Sequence, residues 1–147
     1  MLAAEKNDLV HLLNILEYIG KIWQYTKDIQ APEDLYSHND QLNLNASLNL
    51  LANIGECVNK ISSELKTKFP AIEWPKITAF RNQVVHNYLG IDLVIAYGII
   101  KNDLKTLKTA LETIIKTNIQ EKIFSLAELK LARDSKFYLH VDFKNIL

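Results

Sequence analysis

Thirteen consecutive residues, Phe80-Arg81-Asn82-Gln83-Val84-Val85-His86-Asn87-Tyr88-Leu89-Gly90-Ile91-Asp92, gather the chain's most chemically suggestive side chains. Arg81 is a permanently charged fork that holds a phosphate through two hydrogen bonds. His86 carries an imidazole, the side chain best suited to taking and giving a proton near neutral pH. The pair suits phosphodiester transesterification. The imidazole would deprotonate a ribose 2′-hydroxyl, and the guanidinium would stabilise charge growing on the phosphoryl oxygens. This scheme requires no metal. Its difficulty is geometric, because residues five apart lie about 140° apart on a regular helix. Either the helix loosens near His86, or a two-fold axis beside it brings two Arg81 and two His86 side chains into one cleft.

Other candidates are weaker. Glu56, next to Gly55, reads as a surface carboxylate unless the second helix lines the cleft, where it would orient Arg81 by an ion pair. Cys57 is the single cysteine, so neither an internal disulfide nor a cysteine-based zinc site is expected. It reads as a small buried hydrophobe of a protein kept in a reducing cytosol. His11, His38 and His140 show no metal-ligand spacing, and no metal site is expected.

The elements that must position these groups are helical. Leu9, Leu12, Leu13, Leu16, Ile19, Ile22 and Trp23 recur at three- and four-residue steps and predict a helix over 8–30, capped by Asn7 or Asp8. Pro32, Ser37, Asn39 and Asp40 mark a loop. Leu44, Leu48, Leu51, Ile54, Val58 and Ile61 predict a second helix over 40–67, within which Gly55 is best tolerated where a neighbour comes close. Phe69-Pro70 ends it. A short third helix runs from Pro75 to Tyr88, with Gly90 as its stop, and a fourth covers 92–117. Asp92 caps this last helix, and Ile95, Ile99, Leu104, Leu107, Leu111 and Ile114 form its inner face. The expected fold is all-α, an up-and-down bundle of four to five helices over residues 1–117. Residues 118–147 form a C-terminal extension packed on the same domain or on a dimer. In it Ile123–Arg133 reads as helix, and 137–143 as an extended segment lying along the bundle or pairing with a second subunit.

Composition narrows the function classes. The 147 residues make one domain, 48% hydrophobic and 23% charged, with only 4 Gly and 3 Pro. Lys plus Arg and Asp plus Glu are both 17, which argues against binding nucleic acid by bulk charge. The charges are uneven, however. Residues 1–60 hold 4 basic and 8 acidic groups, residues 61–117 hold 8 and 5, and the tail holds 5 and 4. An anionic ligand should prefer the second half of the chain. Met1–Lys6 shows no leader pattern, and no apolar run approaches a membrane span, so a cytoplasmic protein is expected.

Arg81-Asn82, His86-x-Tyr88 and Gly90-Ile91-Asp92 resemble the R-N-x-x-x-H-x-Y…G-I-D signature of the HepT ribonuclease toxins, of the HEPN superfamily. Ile54-Gly55-Glu56, and Phe69-Pro70 followed by Trp74, match as well, so the resemblance covers about residues 8–117. Asn87 stands where glycine is common in the family, and 118–147 has no counterpart. The resemblance implies a HEPN-like bundle that dimerises through the signature helix, with possible higher oligomers. It implies a metal-independent endoribonuclease acting on cellular RNA, tRNA or mRNA, with Arg81 and His86 catalytic and Asn82 supporting them. It further implies a type VII-like toxin–antitoxin pair. A MntA-type minimal nucleotidyltransferase antitoxin, using ATP, would silence the enzyme by AMPylation of Tyr88; the chain itself needs no cofactor. An alternative is a non-catalytic subunit that presents a nucleotide or substrate to a nucleotidyltransferase, and a third is a structural helical adaptor. The Arg81–His86 pair favours the nuclease, since nucleotide binding alone needs no proton-transfer group.

Overall fold

The computed structural model describes residues 3–147, with side chains from Asn7 onward; the reading of Met1–Lys6 therefore lies mostly outside the described residues. Among the described residues there are helices and turns and no strand. The first helix, α1 (Ala3–Tyr25), buries Leu9, Leu12, Leu13, Leu16, Ile19 and Ile22 as its pattern requires. It starts five residues ahead of the expected position, so Asp8 is no cap. Asp8 is buried inside the helix, accepting from the Ser62 amide at 2.8 Å and from the Ser62 hydroxyl. The helix also stops five residues short of 30, where the Thr26 hydroxyl takes the Ile22 carbonyl.

The loop expected after it contains a short helix, α2 (Pro32–Ser37). Pro32 sits in its first turn, where the missing amide costs nothing, and Leu35 is buried. Three successive residues, Asn39, Asp40 and Gln41, then take positive φ, a conformation that Asn and Asp tolerate best.

The expected second helix is two. α3 (Leu42–Lys60) ends at Ile61, whose backbone is extended, and α4 (Ser63–Lys68) starts afresh. Ser62 makes the break: its hydroxyl accepts from the Leu65 amide at 3.2 Å while it donates to Asp8. The apolar stripe runs on through Ile61 and Leu65, both buried, so periodicity alone shows no interruption. α5 (Trp74–His86) begins one residue early and ends two residues before Tyr88.

From Leu93 the backbone stays helical to Gln120, as α6 (Leu93–Gly98), a wide π turn over Ile99–Asp103, and α7 (Leu104–Gln120). The side chain of Asp92 caps the start, accepting from Val94 and Ile95 amides. The buried face keeps ordinary four- and three-residue steps back from Leu107 through Leu104. Ala96 and Ile100 are buried in place of Ile95 and Ile99, and Ile95 is 56% exposed. A carbonyl in this turn, that of Ile100, accepts the Trp23 indole N–H at 2.9 Å.

α3 packs between α1 and α5, α7 packs on α1, and α2 covers α6. After α8 (Leu126–Asp134), capped by Ser125, the segment expected to be extended forms bends and a short 3₁₀ turn. It lies along α1: Tyr138 donates to Asn14 at 2.8 Å, and the His140 amide donates to Glu17 at 2.7 Å. Phe124, Leu129 and Ile146 join the core formed by the other helices. Cys57 is buried and free. No helix among the described residues is long and apolar enough to cross a membrane.

Candidate active site

α5 comes close to α3 at Gly55. A Cβ placed there would strike the Cβ and Cγ of Arg81 and crowd the Ile77 carbonyl. The missing side chain thus lets the Arg81 stem lie against the α3 backbone, and the following residue, Glu56, meets the guanidinium. Arg81 Nη2 stands 3.2 Å from Glu56 Oε1, while Nη1 donates to Asn82 Oδ1 at 3.0 Å. Nε is buried without a partner. Two bonds from opposite sides hold the guanidinium plane, a geometry that a flexible lysine would not reproduce. Both partners are partly exposed, so the pair contributes little stability. What it fixes is direction.

His86 is the last residue of α5, exposed and without a hydrogen-bond partner among the described residues. α5 is regular up to this point, so Arg81 and His86 of one chain do diverge. Asn82 lies between them around the helix, about 100° from Arg81 and 40° from His86. It accepts from Nη1 and so holds one edge of the guanidinium while Glu56 holds the other.

The chain turns just past His86. Asn87 leaves helical geometry (φ −145°, ψ 52°), and Tyr88–Gly90 form a 3₁₀ turn. Tyr88 therefore swings toward the start of α3, where its hydroxyl donates to Asn45 Oδ1 at 2.5 Å. Burial pushes the phenol pKa up. Leu89 projects from this turn, 98% exposed, and Val85, Val94 and Ile95 add further exposed apolar side chains. A cavity of about 270 Å³ opens beside the turn between Phe80, Gln83, Asn87 and Ile95. It adjoins a broader groove of about 770 Å³ between α5 and the 93–120 helix, lined by Leu51, Ile54, Ile77, Phe80, Ile99 and Leu107.

The structure brings Arg81, Asn82 and Glu56 together and leaves His86 and Tyr88 apart from them. Asn45 was not singled out by sequence, and nothing in its neighbourhood marks it. Asp92, part of the signature, is a helix cap. His140, which sequence leaves without a role, sets its Nδ1 2.8 Å from the buried Glu17. Among the described residues no three His, Cys, Asp or Glu side chains converge as a metal-holding group.

A family model described as ribonuclease HepT-like matches residues 15–114. Two candidate RNases of Methanocaldococcus jannaschii are each 31% identical to the chain. One aligns over 103 residues (70% of this chain, 92% of the relative), the other over 111 residues (76% and 92%). A probable ribonuclease HepT of Thermococcus cleftensis is 28% identical over 106 residues, 72% of this chain and 94% of that one. No solved structure gives a significant match.

Proposed function

The chain belongs to the HepT-like ribonuclease family, and on that premise we propose that it is a metal-independent endoribonuclease whose site is completed by a second copy. The observation that carries this reading is the Arg81 guanidinium, pinned between Glu56 and Asn82, with His86 exposed at the end of the same helix. A pinned guanidinium binds a phosphodiester without a reorganisation cost. An exposed imidazole at the helix end takes the proton of the ribose 2′-hydroxyl. The 2′-oxygen then attacks phosphorus, the bond from phosphorus to the 5′-oxygen breaks, and that oxygen takes a proton from a second imidazole. The product ends are a cyclic phosphate and a 5′-hydroxyl.

The second imidazole and the missing convergence come from a homodimer. Regular helix up to His86 separates the two groups within one chain, and a two-fold axis beside α5 places one copy's His86 near the other's Arg81. The exposed Val85, Leu89, Val94 and Ile95 offer that axis an apolar surface. The enzyme acts in the cytoplasm on cellular RNA, as the toxin of a toxin–antitoxin pair. Its partner is a nucleotidyltransferase that transfers AMP from ATP to Tyr88. Asn45 and Glu56 are eleven residues apart on α3, which puts the Tyr88 hydroxyl about 16 Å from the Arg81 ion pair along that helix. An adenylyl group there silences the enzyme by covering His86 and the path of the RNA rather than by pairing with its own chain's Arg81.

The test is cleavage of end-labelled RNA with chelator present, comparing wild type with His86→Ala. Metal-free cleavage that is lost in the variant is expected. No cleavage by a wild type shown by intact mass to be unmodified overturns the reading and favours a non-catalytic binding subunit.

A further inference from the structure

We propose that Asn45 is a clamp on Tyr88, holding the phenol oxygen in a protonated, inward-turned state from which it must be released before it is modified. The proposal rests on Tyr88 being the modified residue; the clamp itself is read from the contact between the 88–90 turn and α3. The departure of Asn87 from helical geometry turns Tyr88 back onto α3. Tyr88 Oη then donates its proton to the Asn45 side-chain oxygen. A neutral amide oxygen accepts that hydrogen bond and cannot take the proton away. Asn45 therefore stabilises the phenol and not the phenolate, in line with the burial that raises the phenol pKa.

The neighbouring amides leave Asn45 for this task. Asn39 donates to Asn43, and Asn43 donates to the Tyr25 carbonyl. Asn45 is itself exposed, so the clamp lies at the surface, within reach of a docking partner.

Transfer of AMP from ATP forms a bond from Tyr88 Oη to the α-phosphorus, breaks the bond from that phosphorus to pyrophosphate, and sends the phenol proton to a base of the nucleotidyltransferase. Handing that proton to another base needs the hydroxyl away from Asn45. The clamp thus sets a threshold: a partner must displace Asn45 to gain the nucleophile, and small electrophiles meet a protected oxygen.

The first experiment needs no partner. N-acetylimidazole acetylates a phenol oxygen and releases imidazole, which carries off the phenol proton. The rate at Tyr88, read by peptide mass, is compared in wild type and Asn45→Ala. Tyr138, held by Asn14 at a distant site, serves as reference, and circular dichroism checks the fold. Loss of one hydrogen bond predicts a roughly fivefold faster reaction at Tyr88 with Tyr138 unchanged. Equal rates at Tyr88 overturn the clamp. The second arm is AMP transfer by a MntA-type nucleotidyltransferase with ATP, followed by intact mass, with Tyr88→Phe as the blank. A faster initial rate in Asn45→Ala supports the clamp, whereas a slower one overturns it by making Asn45 a guide. Faster acetylation with no AMP transfer to either chain keeps the clamp and removes the modification reading.

Discussion

Replacing Gly55 by alanine separates two opposed effects whose sum has a diagnostic sign. In an open helix interior, glycine to alanine stabilises by up to about 1 kcal/mol, because it reduces the backbone freedom lost on folding. At Gly55 the new methyl collides with the Arg81 stem and crowds the Ile77 carbonyl. The first obstacle is a side chain that can shift. The second is backbone, so α3 and α5 must part. Overpacking of this kind costs about 1–3 kcal/mol, and the net expectation is a loss of roughly 0–2 kcal/mol. Gly98 provides the control: its Cβ would meet nothing within 4 Å, so Gly98→Ala should gain stability. Chemical denaturation measures both. With about 2–4 °C in Tm per kcal/mol for a domain of this size, thermal melts should move in opposite directions. RNA cleavage should fall further than stability at Gly55, because the displaced stem carries the guanidinium away from Glu56 and Asn82. A Gly55→Ala protein more stable than wild type, with full cleavage, would refute the close-approach reasoning and with it the placement of Arg81.

Three other outcomes follow from the same geometry. Glu17→Ala leaves the His140 amide without its acceptor and should cost roughly 1–3 kcal/mol, with faster hydrogen exchange confined at first to 138–146. Asp8→Ala removes both bonds that fix Ser62 and should cost a similar amount, read as a lower denaturation midpoint with α4 losing protection first. Burial lowers the His11 pKa, nearby Asp8 opposes this, and Lys60 adds to it. The folded state therefore binds that proton less readily than the unfolded chain. Its contribution to stability is present at neutral pH and shrinks as pH falls through the ordinary histidine pKa of about 6.5. His11→Gln should flatten that part of the stability–pH curve.

Helix content was readable because each long helix keeps an unbroken apolar stripe, from Leu9 to Ile22 and from Leu44 to Val58. Where the stripe continues but the backbone does not, reading failed. Val58, Ile61 and Leu65 keep helical spacing across a break that is made by Ser62 and a carboxylate 54 residues earlier. The inner face runs through Ala96 and Ile100, at regular four-residue steps from Leu104, and not through the larger Ile95 and Ile99 that residue type favoured. Proline at 32 looked like the end of structure and is the start of a helix. At the site, the link between Glu56 and Arg81 was legible, because Gly55 beside an acid suggested a close neighbour. Asn45 was not, since an asparagine on a polar helix face becomes informative only when the chain turns at Asn87 and delivers a hydroxyl to it.

The contacts of the tail with α1 also bear on the order in which the protein matures. Asn14 and Tyr138 are 124 residues apart, and Glu17 and His140 are 123 apart. At about 5–20 residues per second, a ribosome makes the first partner of each pair roughly 6–25 s before the second. In that interval the helices carrying Arg81, Asn82, Glu56 and His86 all emerge, while the Glu17 carboxylate stays hydrated and the flank of α1 bare. The signature segment, 80–92, is thus complete in sequence before the strap that buries Glu17 exists. The strap closes only once synthesis has passed His140.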